Sequence, residues 1–253
     1  MNNRQTISLE VCADSAESAH LAQIAGASRI ELCTNLNEGG ITPSIGQIEA
    51  ARNLLEIPLY VLIRPRSGDF LYSDTEFEII KSDIHKCGQA GCDGVVIGIL
   101  QPDGSIDTDR CYELMQIAKN YPMGVTFHRA IDRSANIYQA LEDIIELGCE
   151  RILTSGGSKT AIEGINNICR LAEKANGRIS IMPGAGITSQ NIEELVQKTG
   201  LSEFHGTFKK RCYGKMAYYN PVFDKDDNAI FEPDKPEIEK VICIANNLDR
   251  SNI

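Results

Sequence analysis

Short apolar runs alternate with segments of helical periodicity along the whole chain. Eight of these runs are typical of buried β-strands, and they lie at residues 7–12, 29–33, 59–63, 94–98, 123–127, 150–154, 179–182 and 203–206. Apolar residues between them recur at helical spacing, as in Asp14–Ala25, Asp74–Ala90 and Tyr138–Leu147. Strand-then-helix units at steps of roughly 20–35 residues predict an α/β fold of the TIM type, a (β/α)8 barrel. An open doubly wound sheet is the alternative.

Polar residues and glycines mark the ends of the predicted helices. Plausible N-caps are Asp14, Ser44, Asp74, Asp107, Asn136 and Ser189. Plausible stops are Gly26, Gly91, Gly148 and Gly177. We expect a single domain, in which residues 1–208 form the barrel core and residues 209–253 a C-terminal tail. Within the polar segment Lys209–Asp227, the stretch Tyr218–Pro221 is interpreted as a lid or a subunit contact. Pro233–Asn247 is predicted to be a last helix that completes the barrel.

Composition narrows the functional classes. The chain has 253 residues and a formal net charge of −10, which disfavours binding to nucleic acid or to an anionic membrane. Apolar runs stay well short of the roughly 18 residues that a transmembrane helix needs. The first residues lack the apolar region of a signal peptide.

Cysteine usage indicates a reducing compartment. The nine cysteines are odd in number and scattered, without a C-x-x-C pair. This distribution favours the cytoplasm over a disulfide framework, and no ligand pair has the spacing of a structural zinc site.

Two Glu–Cys pairs stand near the ends of the first two strands. Residues two apart on a strand share a face, so Glu10 points with Cys12, and Glu31 points with Cys33. An unpaired carboxylate under the outer helices would be strongly destabilising. We therefore expect both pairs to face the barrel interior near its carboxyl end.

Other polar residues follow the remaining strands. Thr126 and His128 are predicted to point inward together, as are Glu203 and His205. The candidates for proton transfer are Glu10, Glu31, Asp69, His128 and Asp132. The candidates for binding a small anionic ligand are Arg64, Arg66, Arg129, Thr154, Ser155, Gly184, Gly186 and His205.

Each candidate also has a purely structural interpretation. The inward glutamates would then pair with Arg64 and Arg129 in an ion network, and His128 would be a core histidine with satisfied hydrogen bonds. Asp69 follows Gly68 and would be a turn residue or a cap. Cys12 and Cys33 would be buried packing residues. The predicted strands contain no lysine, which argues against a Schiff-base aldolase.

Seven stretches of the sequence resemble the CutC family of copper homeostasis proteins. They are Leu9–Cys12, Arg29–Cys33, Glu38–Ser44, Ile63–Asp74, Val125–Asp132, Arg151–Gly156 and Met182–Thr188. The resemblance implies a cytoplasmic TIM-type barrel that assembles as a homodimer or homotetramer. It also implies a role in copper trafficking or tolerance, with Cu(I) on Cys12 and Cys33. The chain departs from the family pattern after His205, where Gly206–Lys210 replace the expected small residues.

Two functions therefore stand at this point. Two thiolates on neighbouring strands suit Cu(I), which favours sulfur ligands. The arginines, carboxylates and histidine at the same rim favour an enzyme of isomerase or lyase type that acts on a small anionic or sugar-derived substrate. Both functions hold if copper occupies or inhibits an enzyme site.

Overall fold

The structure is a computed structural model that describes residues 7–222, residue 224 and residues 228–248. Eight parallel strands form one sheet in the order β7-β6-β5-β4-β3-β2-β1-β8. They are β1 (Ser8–Ala13), β2 (Arg29–Leu32), β3 (Leu59–Leu62), β4 (Gly94–Ile97), β5 (Gly124–Phe127), β6 (Arg151–Thr154), β7 (Ser180–Pro183) and β8 (Glu203–Gly206). Each predicted strand is present with its ends within one residue, and the predicted TIM barrel is confirmed.

The barrel is nearly closed. Backbone ladders join every neighbouring pair in the strand order, but in the described residues β7 and β8 share no ladder. A side-chain hydrogen bond crosses this seam, because the Ser180 hydroxyl donates to Glu203 Oε1 at 2.6 Å. Closure at the seam therefore depends on side chains.

Eight α-helices follow or complete the strands. They are α1 (Ala16–Ile24), α2 (Ile45–Leu54), α3 (Asp74–Gln89), α4 (Thr108–Lys119), α5 (Ile137–Leu147), α6 (Ile165–Ala175), α7 (Ile192–Thr199) and α8 (Lys235–Asn247). Most buried apolar side chains, such as Leu9, Val11 and Ile30, belong to the large core cluster that also includes residues of the helices. A smaller cluster of Cys12, Cys33, Tyr60, Leu62 and Val96 forms separately.

Three predicted N-caps are wrong by one or two residues. Ser15 caps α1 instead of Asp14, and Ser73 caps α3 instead of Asp74. Ser73 and Glu76 form a reciprocal capping box, in which each side chain accepts from the other residue's backbone N–H. At α7 the N-cap position is Asn191, not Ser189, and it makes no side-chain capping bond. Ser44, Asp107 and Asn136 cap their helices as predicted.

The C-terminal tail contains an antiparallel hairpin that the sequence reading did not predict. Strand β9 (Lys209–Tyr213) pairs with β10 (Ala229–Pro233). Residue 223 and residues 225–227 of the polar tail segment lie outside the described residues. Helix α8 begins at Lys235, with a proline in its first turn, and packs against α7 and α1. Within the described ranges, none of the helices has the length and apolar character needed to cross a membrane.

Candidate active site

A pocket of about 380 Å³ opens at the carboxyl ends of the strands. Its wall is built from β1, β2, β3, β6 and β8 and from the loops that follow β2, β3, β5, β7 and β8. Active sites of this fold lie at the same end, where loops from several strands converge.

The predicted site residues fall into four groups by their position relative to this pocket. Those that line it are Cys12, Glu31, Arg64, His128, Arg129, Gly186 and His205. Buried residues that do not line it are Glu10, Cys33, Thr154 and Ser155. Gly184 and Asp132 belong to the loops around it, whereas Arg66 and Asp69 lie apart from it.

Glu10 is fully buried and lies between two cationic groups. The strand register places it beside Arg29 on β2 and His205 on β8. It accepts hydrogen bonds from the Arg29 guanidinium and pairs with His205 Nδ1 at 2.8 Å. Burial alone would raise the pKa of Glu10, but Arg29 and His205 lower it to about 2. Glu10 is therefore a fixed carboxylate beneath the pocket.

Glu31 has the opposite electrostatic character on the neighbouring strand. Burial and the nearby Glu10 charge raise the pKa of Glu31 to about 7, against the lowering effect of His205. Its Oε2 lies 3.5 Å from His205 Nδ1 and makes no hydrogen bond to any described residue. Glu31 can therefore gain or lose a proton near neutral pH.

His205 connects the two glutamates. Burial lowers the pKa of His205, but its hydrogen bond to Glu10 and the charges of Glu31 and Glu10 raise it overall. The two carboxylates therefore favour the charged form of the imidazole, against the effect of burial.

Two thiols lie beside this carboxylate–histidine group. Cys12 Sγ and Cys33 Sγ are 3.3 Å apart, and both residues are buried. Ligand atoms of Cys12, Glu31 and His205 lie within 4.8 Å of one another. The contact with Cys33, burial and the nearby carboxylates raise the pKa of Cys12 well above its usual value. A soft metal ion at this place would have to displace the thiol protons.

His128 is held as a neutral imidazole. Its ring lies close to Gly98, where an added Cβ would meet ring carbon Cε1 at 2.4 Å, and 4.8 Å from the Phe70 ring centroid. Burial and the Arg64 charge lower the pKa of His128 to about 3. Nδ1 accepts from the Ala130 N–H, which assigns the proton to Nε2. Nε2 has no partner among the described residues, so it can donate to a ligand.

Arg64 is largely committed to holding loops together. Its guanidinium donates to the backbone carbonyls of Glu38, Gly40 and Gly68 at 3.1, 2.8 and 2.9 Å. These bonds join the loop after β2 to the loop after β3. The buried Nε remains without a partner in the described chain.

The second arginine of that loop points elsewhere. Arg66 pairs with Asp69 at 2.9 Å and with Glu76 at 2.6 Å, and the Asp69 side chain is 70% exposed. Neither Arg66 nor Asp69 lines the pocket. Their ion pairs attach the loop to the start of α3.

Asp132 organises the loops after β5 and β6. Its two oxygens accept from Thr154 Oγ1, from the Ser155 N–H and hydroxyl, from the Gly157 N–H and from Arg129 Nε. With so many donors on a buried carboxylate, Asp132 positions its neighbours rather than offering a free oxygen to a ligand.

The loops after β7 and β8 carry left-handed backbone residues at the pocket wall. Ala185 has φ 78°, Gly186 has φ 72° and Phe208 has φ 43°. In non-glycine residues such values mark stored strain, which concentrates at functional sites. Gly184 is tightly packed, because an added Cβ would meet Leu153 Cδ1 at 2.4 Å.

Comparisons with known proteins identify the family. A sequence model described as the CutC family matches residues 7–210. The chain belongs to the CutC family. A human protein named "Copper homeostasis protein cutC homolog" is 50% identical over 212 residues, covering 84% of this chain and 77% of its own length. A protein named CutC from Xanthomonas axonopodis pv. citri is 53% identical over 199 residues, covering 79% of this chain and 82% of the relative.

A solved structure of a CutC copper homeostasis protein from Streptococcus agalactiae supports the same assignment. It is 37% identical, has a TM-score of 0.75 and covers 80% of this chain and 99% of its own. Phosphoribosylanthranilate isomerase from Pyrococcus furiosus matches with a TM-score of 0.57 at 12% identity, covering 96% of this chain and all of its own (100%), which shows the shared barrel fold alone.

Beneath the site of this CutC-family barrel lies a cluster of charged side chains, Arg29, Arg151 and Glu203, which we call the charged floor. Arg29 and Arg151 both donate to Glu203, at 3.1 and 2.6 Å, and their guanidinium carbons lie 5.3 and 5.6 Å from the Tyr60 ring centroid. The structural alternative, in which Arg64 and Arg129 neutralise the inward glutamates, is therefore wrong for Glu10. Sequence reasoning missed both floor arginines, although Arg29 shares its strand parity with Glu31.

Proposed function

We propose that this CutC-family barrel is an enzyme of isomerase or lyase type that acts on a small anionic substrate. Three buried polar atoms of residues that line one pocket carry the proposal: Glu31 Oε2, His128 Nε2 and Arg64 Nε lack hydrogen-bond partners in the described chain. Each unpaired buried polar atom is destabilising by about 1–3 kcal/mol. A ligand that forms hydrogen bonds with all three atoms would explain why the protein keeps them buried and unpaired.

In this proposal Glu31 transfers the proton and His128 stabilises the charge that develops on the substrate. The Glu31 carboxylate takes a proton from a carbon next to a substrate carbonyl, and the electron pair moves to the carbonyl oxygen. His128 Nε2–H donates a hydrogen bond to that oxygen and stabilises its developing charge. Where the deprotonated carbon carries a hydroxyl, that hydroxyl's proton passes to the enolate oxygen, Glu31 returns its proton to the former carbonyl carbon, and the isomerisation is complete. Where the next carbon carries a leaving group, that group departs with its bonding electrons and gives an elimination.

Basic side chains on the pocket wall favour a substrate that carries negative charge. Arg129, Lys209 and His205 line the pocket. In the described chain, the backbone N–H groups of Ala185, Gly186 and Ile187 donate no hydrogen bond to another residue. Amides of this kind at a glycine turn are suited to binding an oxyanion.

A thermal-shift screen with small anionic metabolites tests the proposal. A true ligand raises the melting temperature by mass action. We expect His128→Gln to weaken binding by roughly tenfold or more, because a hydrogen bond to a charged or developing oxyanion is lost. His85→Gln, an exposed histidine on α3, is the matched control. The proposal fails if no compound stabilises the protein, or if His128→Gln leaves the shift unchanged.

Cu(I) binding in the cytoplasm is the second candidate function. The observation that favours it is the 3.3 Å separation of Cys12 Sγ and Cys33 Sγ, with His205 and Glu31 adjacent to Cys12. Cu(I) prefers sulfur donors and also accepts imidazole. The name of the human relative, a copper homeostasis protein, is consistent with this chemistry.

Anaerobic Cu(I) titration separates the second function from the first. We expect stoichiometric binding that Cys12→Ser and Cys33→Ser abolish and that exposed Cys243→Ser leaves intact. Because the pKa of the Cys12 thiol is raised, the affinity should increase with pH as the proton is released. Binding retained by the Cys12→Ser/Cys33→Ser protein would rule out this site.

A further inference from the structure

An outer chamber adjoins the pocket at the barrel rim. It has a volume of about 720 Å³ and shares Gly39, Arg64, Phe70 and Arg129 with the inner pocket. These four residues form the boundary between the two spaces. The two spaces therefore adjoin along these residues.

The outer chamber gathers cations that lack ion-pair partners. Arg133 and Lys159 line it, both are exposed, and neither forms a salt bridge with any described residue. Arg133 also lies 5.8 Å from the centroid of the Phe70 ring, at the boundary with the inner pocket. Two unpaired cations at one opening are notable in a chain whose formal net charge is −10, because acidic partners are plentiful.

Arg129 adds a third cation in a fixed orientation. Its Nε donates to Asp132 at 2.9 Å, and its Nη2 donates to Ser155 Oγ at 2.7 Å and to the Ser158 carbonyl at 3.3 Å. Nη1 donates to no described residue and stays available. A side chain held on three acceptors loses little further freedom when it binds a ligand.

The acidic residues of the chamber do not cancel this charge. The carboxylate oxygens of Asp132 already accept hydrogen bonds from Thr154, Ser155 and Gly157. Glu38 and Glu163 remain, against Arg64, Arg129, Arg133 and Lys159. The chamber therefore keeps an excess of one positive charge even when every acidic group is counted.

We propose that the substrate is a phosphate monoester and that its phosphate binds in the outer chamber between Arg129, Arg133 and Lys159. The reacting carbon atoms then lie in the inner pocket, so this inference rests on the proposed function. Cations from two separate loops surround the space, which suits a tetrahedral dianion with three terminal oxygens. A planar carboxylate is satisfied by one bidentate arginine.

Calorimetric titration with inorganic phosphate tests the chamber without knowledge of the substrate. We expect Arg133→Gln/Lys159→Gln to weaken phosphate binding by roughly tenfold or more, because two charge-assisted contacts are lost. Lys119→Gln/Lys198→Gln removes two exposed lysines on α4 and α7 and should bind phosphate as the wild type does. This control separates the local site from the change in net charge.

The outcomes distinguish the chamber from the inner pocket. Phosphate binding that survives His128→Gln and is lost in Arg133→Gln/Lys159→Gln supports the inference. Absent phosphate binding, or equal binding by the chamber variant and the wild type, overturns it. In that case the acid–base proposal still stands or falls on the metabolite screen with His128→Gln.

Discussion

At the scale of single residues, Glu10 and Glu31 show how a barrel interior gives two neighbouring carboxylates very different pKa values. Both are buried and lie on adjacent strands. Arg29 and His205 lower the pKa of Glu10 to about 2, whereas burial raises the pKa of Glu31 to about 7. Groups whose pKa values are pushed apart by their surroundings are typical of acid–base sites.

We expect Glu10→Gln to destabilise the protein by about 3–5 kcal/mol near neutral pH, because it removes the fully buried carboxylate that pairs with both Arg29 and His205 and leaves Arg29 paired with the partly exposed Glu203. The folded-state pKa of Glu10 is lowered, so its contribution is present above about pH 4.5 and is lost as the pH falls towards 2. Urea unfolding across this range should show a weaker acid dependence in the variant. Glu17→Gln, an exposed residue of α1, should match the wild type.

Glu31→Gln should have the opposite effect. Because its folded-state pKa is raised, the wild type loses stability as the pH rises from about 4.5 to about 7. The variant lacks this loss, so it should be about 3 kcal/mol more stable than the wild type at about pH 8 and nearly equal at about pH 4. Urea unfolding at the two pH values checks this, and a variant less stable than the wild type at the higher pH would contradict it.

Strand parity made part of this site predictable from sequence. Alternation placed Glu10, Cys12 and Glu31 on one face, and the structure brings them together. The directions of Arg66 and Asp69 were not predictable, because a loop has no fixed period and their ion pairs with each other and with Glu76 turn them outward.

At the scale of elements, the loop after β6 depends on a carboxylate from the loop after β5. Thr154, Ser155 and Gly157 all donate to Asp132, which also holds Arg129. The two loops therefore form one unit at the rim, and Arg129 takes its direction from it.

Asp132→Asn should loosen this unit. The substituted amide places an N–H group against donors, and we expect a loss of about 2–4 kcal/mol in the free energy of unfolding. Amide hydrogen exchange at Ser155 and Gly157 should speed up relative to the core strands. Asp109→Asn, an exposed residue of α4, serves as the control. Unchanged exchange at both amides would show that Asp132 does not organise the loop.

Elements buried on both faces were predictable, and exposed ones were not. The barrel strands are short apolar runs, since one face packs under helices and the other fills the interior. The β9–β10 hairpin lies at the surface, with mostly exposed residues in β9, and its sequence shows no apolar alternation. Its strands depend on pairing with each other, which a local pattern does not reveal.

At the scale of the whole molecule, the β7–β8 seam is the weak point of the barrel. Every other neighbouring pair of strands has a backbone ladder. Ser180 crosses the seam to Glu203, which in turn binds the floor arginines Arg29 and Arg151. Closure of the barrel is thus linked to the charged floor.

Ser180→Ala should lower the free energy of opening at the seam by about 1.5–3 kcal/mol, the range for a hydrogen bond to a charged group. Native-state hydrogen exchange should show faster exchange at β7 and β8, with β2 to β4 protected as before. Ser82→Ala on the exposed face of α3 is the control. A uniform change over all strands would contradict a local role for the seam.

Cys12 lines the same pocket as Glu31, Arg64 and His128. Any ion held by this thiol and His205 therefore takes space and charge from a molecule bound beside Glu31. The two occupants are thermodynamically linked, and each must weaken the affinity for the other by the same factor. Under the two proposed functions, metal and metabolite compete for one pocket, so copper would act as an inhibitor whose effect fades as the metabolite accumulates.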